Sequence, residues 1–166
     1  MSNLPTFEFE EDLQAQGYLN IAGVDEVGRG TLAGPVFAAA VILDPRHIPN
    51  GLNDSKKLST KKRKILLKAI MEHAEVSIAS ASEREIETIN ILQASHLAMV
   101  RAVRKLKKRP DHVLVDGNLI PRNFEIPATA LIKGDSRSVS IAAASIVAKI
   151  SRDFVMCDLG QQFPGY

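Results

Sequence analysis

Cysteine is almost missing from this chain: Cys157 stands alone among 166 residues. A single thiol closes no intrachain disulfide and builds no thiolate zinc cage, which excludes a disulfide scaffold and a structural zinc knuckle. A reducing, cytoplasmic setting is the default expectation. Long hydrophobic runs are missing too. No stretch approaches the roughly 18 apolar residues that span a bilayer. The longest mostly apolar segment, Leu32 to Leu43, is interrupted by Gly34 and Pro35. The first residues are acidic (Glu8, Glu10, Glu11, Asp12) rather than basic and then apolar, so they do not read as a secretion signal. A membrane role is not expected. There is no internal repeat, low-complexity tract or interdomain linker, and the net charge of +2 favours neither sign. With 45% hydrophobic and 24% charged residues, the chain suits one domain, residues 1–166, with a real core. Nothing in it demands more than a monomer.

Charge is distributed more tellingly than its sum suggests. Lys56, Lys57, Lys61, Lys62, Arg63 and Lys64 form one basic block, and Arg101, Arg104, Lys105, Lys107, Lys108 and Arg109 form another. Such blocks either neutralise phosphates or are solvated helix faces.

Residues 1–17 read as a leader or short first helix. The run 19–25 reads as a buried strand, and 35–43 as its hairpin partner across a Gly-rich turn. Helical spacing of Ile65, Leu66, Ala69 and Ile70 predicts a helix over 59–73. Alternation over 75–81 predicts a third strand. Ser82 and Glu85 form a capping-box pattern that opens one long helix to about Lys108, with Pro110 stopping it. Further strands are predicted over 112–117 and 128–133, and a helix from Ser140 to about Leu159 that starts on the small residues Ala142, Ala143 and Ala144. Strands followed by alternating strands and helices predict a mixed α/β sheet in one layered domain.

Three predicted strand ends carry acids: Asp25-Glu26, Asp116 and Asp135. Ligands bind at one edge of such sheets. Carboxylates converging there repel one another unless a hard cation such as Mg²⁺ or Mn²⁺ compensates, and two such ions are suited to phosphodiester hydrolysis. Gly28-Arg29-Gly30 follows the first pair at once, and a glycine-flanked arginine lets backbone amides and a guanidinium approach a phosphate or sugar. Adjacent strand residues point to opposite faces, so Asp25 and Glu26 share a site only if the strand ends or twists between them. Taken singly, Asp116 before Gly117 also fits a turn, and Asp135 before Ser136 a turn or helix cap. The four histidines (His47, His73, His96, His112) read as structural or surface groups, and Asp153 as part of a helix-surface ion pair. Ser145 and Lys149 lie four apart, but no oxyanion loop or strained elbow accompanies them, so a Ser/Lys hydrolase is set aside.

At these motifs the chain resembles the ribonuclease HII family, the type 2 ribonucleases H. The matching segments are Asp25-Glu26-Val27-Gly28-Arg29-Gly30, Asn53-Asp54-Ser55-Lys56-Lys57-Leu58, Val113-Leu114-Val115-Asp116-Gly117, and Lys133-Gly134-Asp135-Ser136 with Ala142-Ala143-Ala144-Ser145-Ile146-Val147-Ala148-Lys149. The resemblance implies a ribonuclease H-like fold. It implies endonucleolytic cleavage of RNA in RNA–DNA hybrids and nicking at ribonucleotides embedded in duplex DNA, leaving 5′-phosphate and 3′-hydroxyl ends, the chemistry of ribonucleotide excision in DNA repair. It implies that Asp25, Glu26, Asp116 and Asp135 are the catalytic acids and hold two Mg²⁺ or Mn²⁺ ions, that Gly28, Arg29 and Gly30 contact the 2′-hydroxyl side of the ribonucleotide, and that Lys56 holds a backbone phosphate. The family continues past a segment like Phe163-Pro164-Gly165-Tyr166 into a His-Lys-Gly-Tyr motif and a helical tail, which this chain does not have; a truncated form with altered junction specificity is the expectation. A hybrid-binding module without turnover, and another metal-dependent nuclease or a phosphatase on a related fold, are the alternatives. An all-DNA substrate separates the last from a ribonuclease H.

Overall fold

The computed structural model describes residues 4–30 and 34–162; the Phe163-Pro164-Gly165-Tyr166 segment lies outside the described residues. Strand β1 (Ile21–Val27) pairs antiparallel with β2 (Val36–Ile42), and β2 with β3 (Glu75–Ala81), while β1 runs parallel to β4 (His112–Asp116) and β4 to β5 (Ala128–Leu131). The five strands lie in the order β3-β2-β1-β4-β5. This is the expected mixed α/β sheet, and the connection over residues 82–111 returns β4 parallel to β1.

Helices α1 (Glu8–Ala15), α2 (Thr60–His73), α3 (Glu83–Ile89), α4 (Ile91–Lys105) and α5 (Val139–Gln162) flank the sheet. The expected single helix from Ser82 to Lys108 is two. The capping box of Ser82 and Glu85 opens α3 as predicted, but Asn90 takes a positive φ of 73°, and its side chain accepts from the Gln93 amide to cap α4. Apolar spacing passes over this break because both helices cover the same face of the sheet. With ψ at 169°, Asn90 lies outside the left-handed helical region, in a conformation rare for any residue but glycine, so the side-chain cap and the surrounding packing hold the turn.

Alternation along the strands sorts the core into two layers. Ala22, Val24, Ala38, Ala40, Val113 and Val115 face Ala94, Ala98, Ala102 and Val103 of α4. Ala39 and Val41 face Ile70 of α2 and Ala142–Ala144, Ile146 and Val147 of α5. Each fully buried isoleucine contributes about 1.5–3 kcal/mol, but the alanines matter for distance rather than area. The closest approach is at Gly23. A Cβ built there would lie 2.2 Å from the Ser140 carbonyl carbon and 2.5 Å from the Ile141 nitrogen, so the first turn of α5 rests directly on β1.

Candidate active site

The same alternation places the acids. In β1 and β4 the residues facing α4 are Val24 and Val115, so Asp25 and Asp116, each one step on, project from the α5 side at the carboxyl ends of neighbouring parallel strands. Glu26 belongs to the opposite face by period. The strand does not end between the two acids: the ladder to β2 continues through Val27. The ladder to β4, however, stops at Val24 and Val115. Beyond it β1 has an open flank, and carboxylate oxygens of Asp25, Glu26 and Asp116 come within 4.8 Å of one another. Asp25 uses one oxygen to accept from the Glu26 amide at 2.8 Å.

Asp135 stands beside this trio in a short 3₁₀ turn, Gly134–Ser136, and its amide donates to Asp116 Oδ1 at 3.3 Å. Gly134 makes that approach possible: a Cβ there would lie 2.6 Å from Ile141 Cδ1 and 3.2 Å from Asp116 Oδ1. The residue before it, Lys133, holds a left-handed φ of 55°, which a lysine tolerates only when its surroundings impose it.

The charges are left under tension. Asp25 is 4% exposed. Burial, and then the neighbouring Asp116, Glu26 and Asp135, hold its carboxyl well above the usual carboxylate range. Burial and Asp116 raise Glu26 as well, partly offset by Arg29. Asp135 is pushed up to about 6, first by burial, then by Asp116 and Asp54. Among the described residues no lysine or arginine pairs with Asp25, Asp116 or Asp135, and Arg29 reaches only Glu26, at 4.0 Å. A donor set made wholly of carboxylate oxygens, crowded and short of counter-charge, fits a hard divalent cation. Asp25, Glu26 and Asp116 are the residues positioned to hold one, with Asp135 at their side.

The remaining expected contacts surround this rim. Gly28 is buried at φ 108°, while Arg29 and Gly30 are exposed beyond it. Lys56 lies in a 3₁₀ turn, Ser55–Lys57, capped by Asp54, and its charge is felt at Asp135. Ser145 is no nucleophile: it is buried on α5, donates to Ser55 Oγ at 2.9 Å, and so ties this turn down. Lys149 pairs with Asp153 at 3.0 Å on the helix surface.

Three participants were not anticipated. Asp54 was quoted only as part of a motif, and its closeness to Asp135 depends on how the loop docks. Arg152, only 7% exposed, donates from Nε to the Pro35 carbonyl at 3.1 Å and fills the space a Cβ on Gly28 would need. It reads in sequence as one more charge on a helix. Glu10 is fully buried and accepts from Ser138 Oγ and, at 3.4 Å, from the Ser140 amide, fixing the start of α5 just after Asp135. One acid among the four of the first helix, Glu8, Glu10, Glu11 and Asp12, gives no signal of that.

Comparison with known proteins bears on this geometry. The model of the family described as Ribonuclease HII matches residues 22–166. The chain is 62% identical over 162 residues to a ribonuclease HII of Ruegeria pomeroyi, covering 98% of this chain and 69% of that protein. It is 55% identical over 164 residues to a ribonuclease HII of Paracoccus denitrificans, covering 99% and 78%. Among solved structures it is similar to the ribonuclease H2 of Pyrococcus horikoshii, with a TM-score of 0.75 at 26% identity over 89% of this chain and 78% of that one. It is also similar to a Bst-RNase HIII in complex with Mn²⁺, with a TM-score of 0.74 at 27% identity over 87% and 55%.

Proposed function

Because the chain belongs to the ribonuclease HII family, and is thereby a metal-dependent ribonuclease hydrolase, we propose that it cuts the RNA strand of RNA–DNA hybrids and nicks duplex DNA at embedded ribonucleotides. In this reading residues 1–166 act as one catalytic domain, as a monomer in the cytoplasm. Asp25, Glu26, Asp116 and Asp135 are its catalytic acids. The observation that supports this best is the trio of crowded carboxylates, within 4.8 Å of one another and, among the described residues, without a paired lysine or arginine at Asp25 or Asp116.

Two Mg²⁺ or Mn²⁺ ions would supply charge neutralisation at the phosphate and a water acidic enough to attack at neutral pH. The chain's own residues set everything else. Asp25 and Asp116, from one face of neighbouring strands, fix where the positive charge must sit. Glu26 comes to the same point from the other face, and Asp135 borders it from the turn after β5. A phosphodiester drawn to that position lies at the open end of the sheet, beside Gly28, Arg29 and Gly30. There the glycine backbone can come close to the sugar edge, and the 2′-hydroxyl is what distinguishes RNA from DNA. Lys56 offers a cation to a neighbouring phosphate. The expected products are a 5′-phosphate and a 3′-hydroxyl.

The test is a labelled DNA duplex carrying one ribonucleotide, incubated with Mg²⁺, with Mn²⁺ and with EDTA beside an all-DNA duplex. A metal-dependent nick on the 5′ side of the ribonucleotide, with the all-DNA duplex intact, is the expected result. Equal cutting of both duplexes would move the protein to another nuclease class.

A further inference from the structure

The cations of the chain meet different fates. On α4, Arg101 pairs with Glu85 at 2.6 Å, Arg104 approaches Glu125 at 3.7 Å, and Lys105 donates to the Ile78 carbonyl at 2.9 Å. The two arginines are matched by acids. Around the 3₁₀ turn at Asp135 the cations are left open. An open cleft of about 560 Å³ lies there between α1, the Ser55–Lys57 turn and the turn after β5. Lys57, Lys133 and Arg137 line it together with Phe9, Ile132 and Ser136, and no acid does. None of the three cations belongs to an ion pair among the described residues. In a chain of 21 cations and 19 acids, a cleft lined by three cations and no acid is a local excess of positive charge.

The cleft is also shaped and held. Arg137 lies with its guanidinium carbon 5.0 Å above the Phe9 ring and donates to the Ile132 carbonyl at 3.2 Å. Lys57 Nζ donates to Ser136 Oγ at 3.4 Å, bridging two walls next to Asp135. Lys133 is projected from a left-handed backbone position. Ile132 is 62% exposed and adds apolar surface between the charges. Neither feature is needed for the carboxylate trio, yet the cleft begins where Asp135 ends.

We propose that this cleft is the track of the nucleic-acid strand on one side of the scissile phosphodiester, with Lys57, Lys133 and Arg137 neutralising backbone phosphates and Ile132 packing against sugar. The inference rests on the nuclease reading above. Phosphate contacts of this kind are independent of sequence and release counterions, so they are read in the salt dependence of binding.

The experiment measures equilibrium binding of an RNA–DNA hybrid in EDTA, over a range of salt, for the wild type and for Lys57→Gln/Lys133→Gln, two exposed positions whose replacement leaves the core alone. The double variant is expected to bind about tenfold more weakly at low salt. Its log–log salt slope should be shallower by roughly 1.4–1.8, about 0.7–0.9 per phosphate contact. Arg137→Gln should shift both in the same direction. Lengthening the hybrid on one side of the cleavage site should tighten wild-type binding, and do so less for the variant. An unchanged affinity and slope, with ribonucleotide cleavage intact in the wild type, would overturn the cleft and leave the nuclease reading standing. A slope that falls as expected in a protein that cleaves no ribonucleotide substrate would support the cleft and remove the nuclease reading.

Discussion

Strand β4 is bracketed by two aspartates that live in opposite worlds. At its amino end Asp111 is exposed and accepts two backbone amides, from Leu19 and Asn20, each at 2.9 Å; these hold its carboxyl below the usual range. At its carboxyl end Asp116 faces buried Asp25, whose carboxyl is held far above that range. The same contrast runs across the sheet. At the amino end of β4, His112 bonds Thr129 at 2.8 Å and meets Tyr18 edge to ring, its buried Nδ1 has no hydrogen-bond partner among the described residues, and a small pocket of about 190 Å³ is lined by Val100, Val103, Leu106 and Phe124 together with Arg104, Arg109 and Glu125. The carboxyl end gathers the like charges, the left-handed Lys133 and the buried Arg152. One end of these strands is arranged for stability. The other crowds carboxylates with little counter-charge, an arrangement that costs stability until a cation compensates it.

The sharpest way to break this comparison is to remove charge at each end. Asp25→Asn and Asp116→Asn should lower cleavage by about 10³-fold or more, the equivalent of several kcal/mol of lost charge stabilisation, while hybrid binding persists. Asp25→Asn should also melt higher than wild type in EDTA at pH 7, because it relieves repulsion. A variant that cuts at near-normal rate in saturating Mg²⁺ would remove the assigned role.

The next largest effect is expected at Arg152. Arg152→Ala leaves the Pro35 carbonyl without its donor, a cost of about 1–3 kcal/mol. It also releases the Gly28 turn from its support. Discrimination between ribonucleotide and deoxyribonucleotide should fall about tenfold, the equivalent of ~1.4 kcal/mol. Paired cleavage rates on the two substrates measure this. A uniform loss on both would assign Arg152 to stability alone.

Glu10 sharpens the comparison through pH. Burial raises its carboxyl above the usual range. The folded state therefore keeps a proton that the unfolded chain releases. Stability from this group is fully present below the ordinary glutamate value of about 4.3 and declines as pH rises through the folded value. Glu10→Gln should flatten that decline and raise the melting temperature at pH 7 by a few degrees, about 1 kcal/mol. Thermal melts between pH 4 and 8 decide it, and a variant less stable at pH 7 than at pH 4 relative to wild type would contradict it.

Asp111 should show the smallest effect and the opposite sign. Its lowered carboxyl stabilises the fold above the unfolded aspartate value of about 3.9, and the benefit fades as pH falls through the folded value. Asp111→Asn should melt slightly lower at pH 7, match wild type in acid, and cleave normally.

These sites differ in how far the sequence discloses them. Asp25, Glu26 and the Gly-Arg-Gly turn are contiguous and Asp116 closes an apolar run, so these were legible; Asp135 was expected at a strand end, but β5 stops at Leu131 and Asp135 lies in the 3₁₀ turn beyond it, because Lys133 takes a left-handed conformation that ends the strand. The strand pattern was legible for the same reason: burial on two faces leaves long apolar runs and alternation. The break at Asn90 was not, because one backbone dihedral makes it and the apolar spacing continues across. Arg152 and Glu10 were not, because a buried charge and a solvated one are the same letter. Only packing against Pro35 or the start of α5 gives either of them a task.

The parallel pairing of β1 with β4, and the docking of α5 on Gly23, carry a consequence for the chain as it is made. Asp25 and Glu26 leave the ribosome early, yet their partners Asp116 and Asp135 follow only after β2, β3 and four helical segments have been made. Non-local pairing of this kind is completed late in folding. A nascent or clipped chain that ends before β4 holds two of the acids and no site.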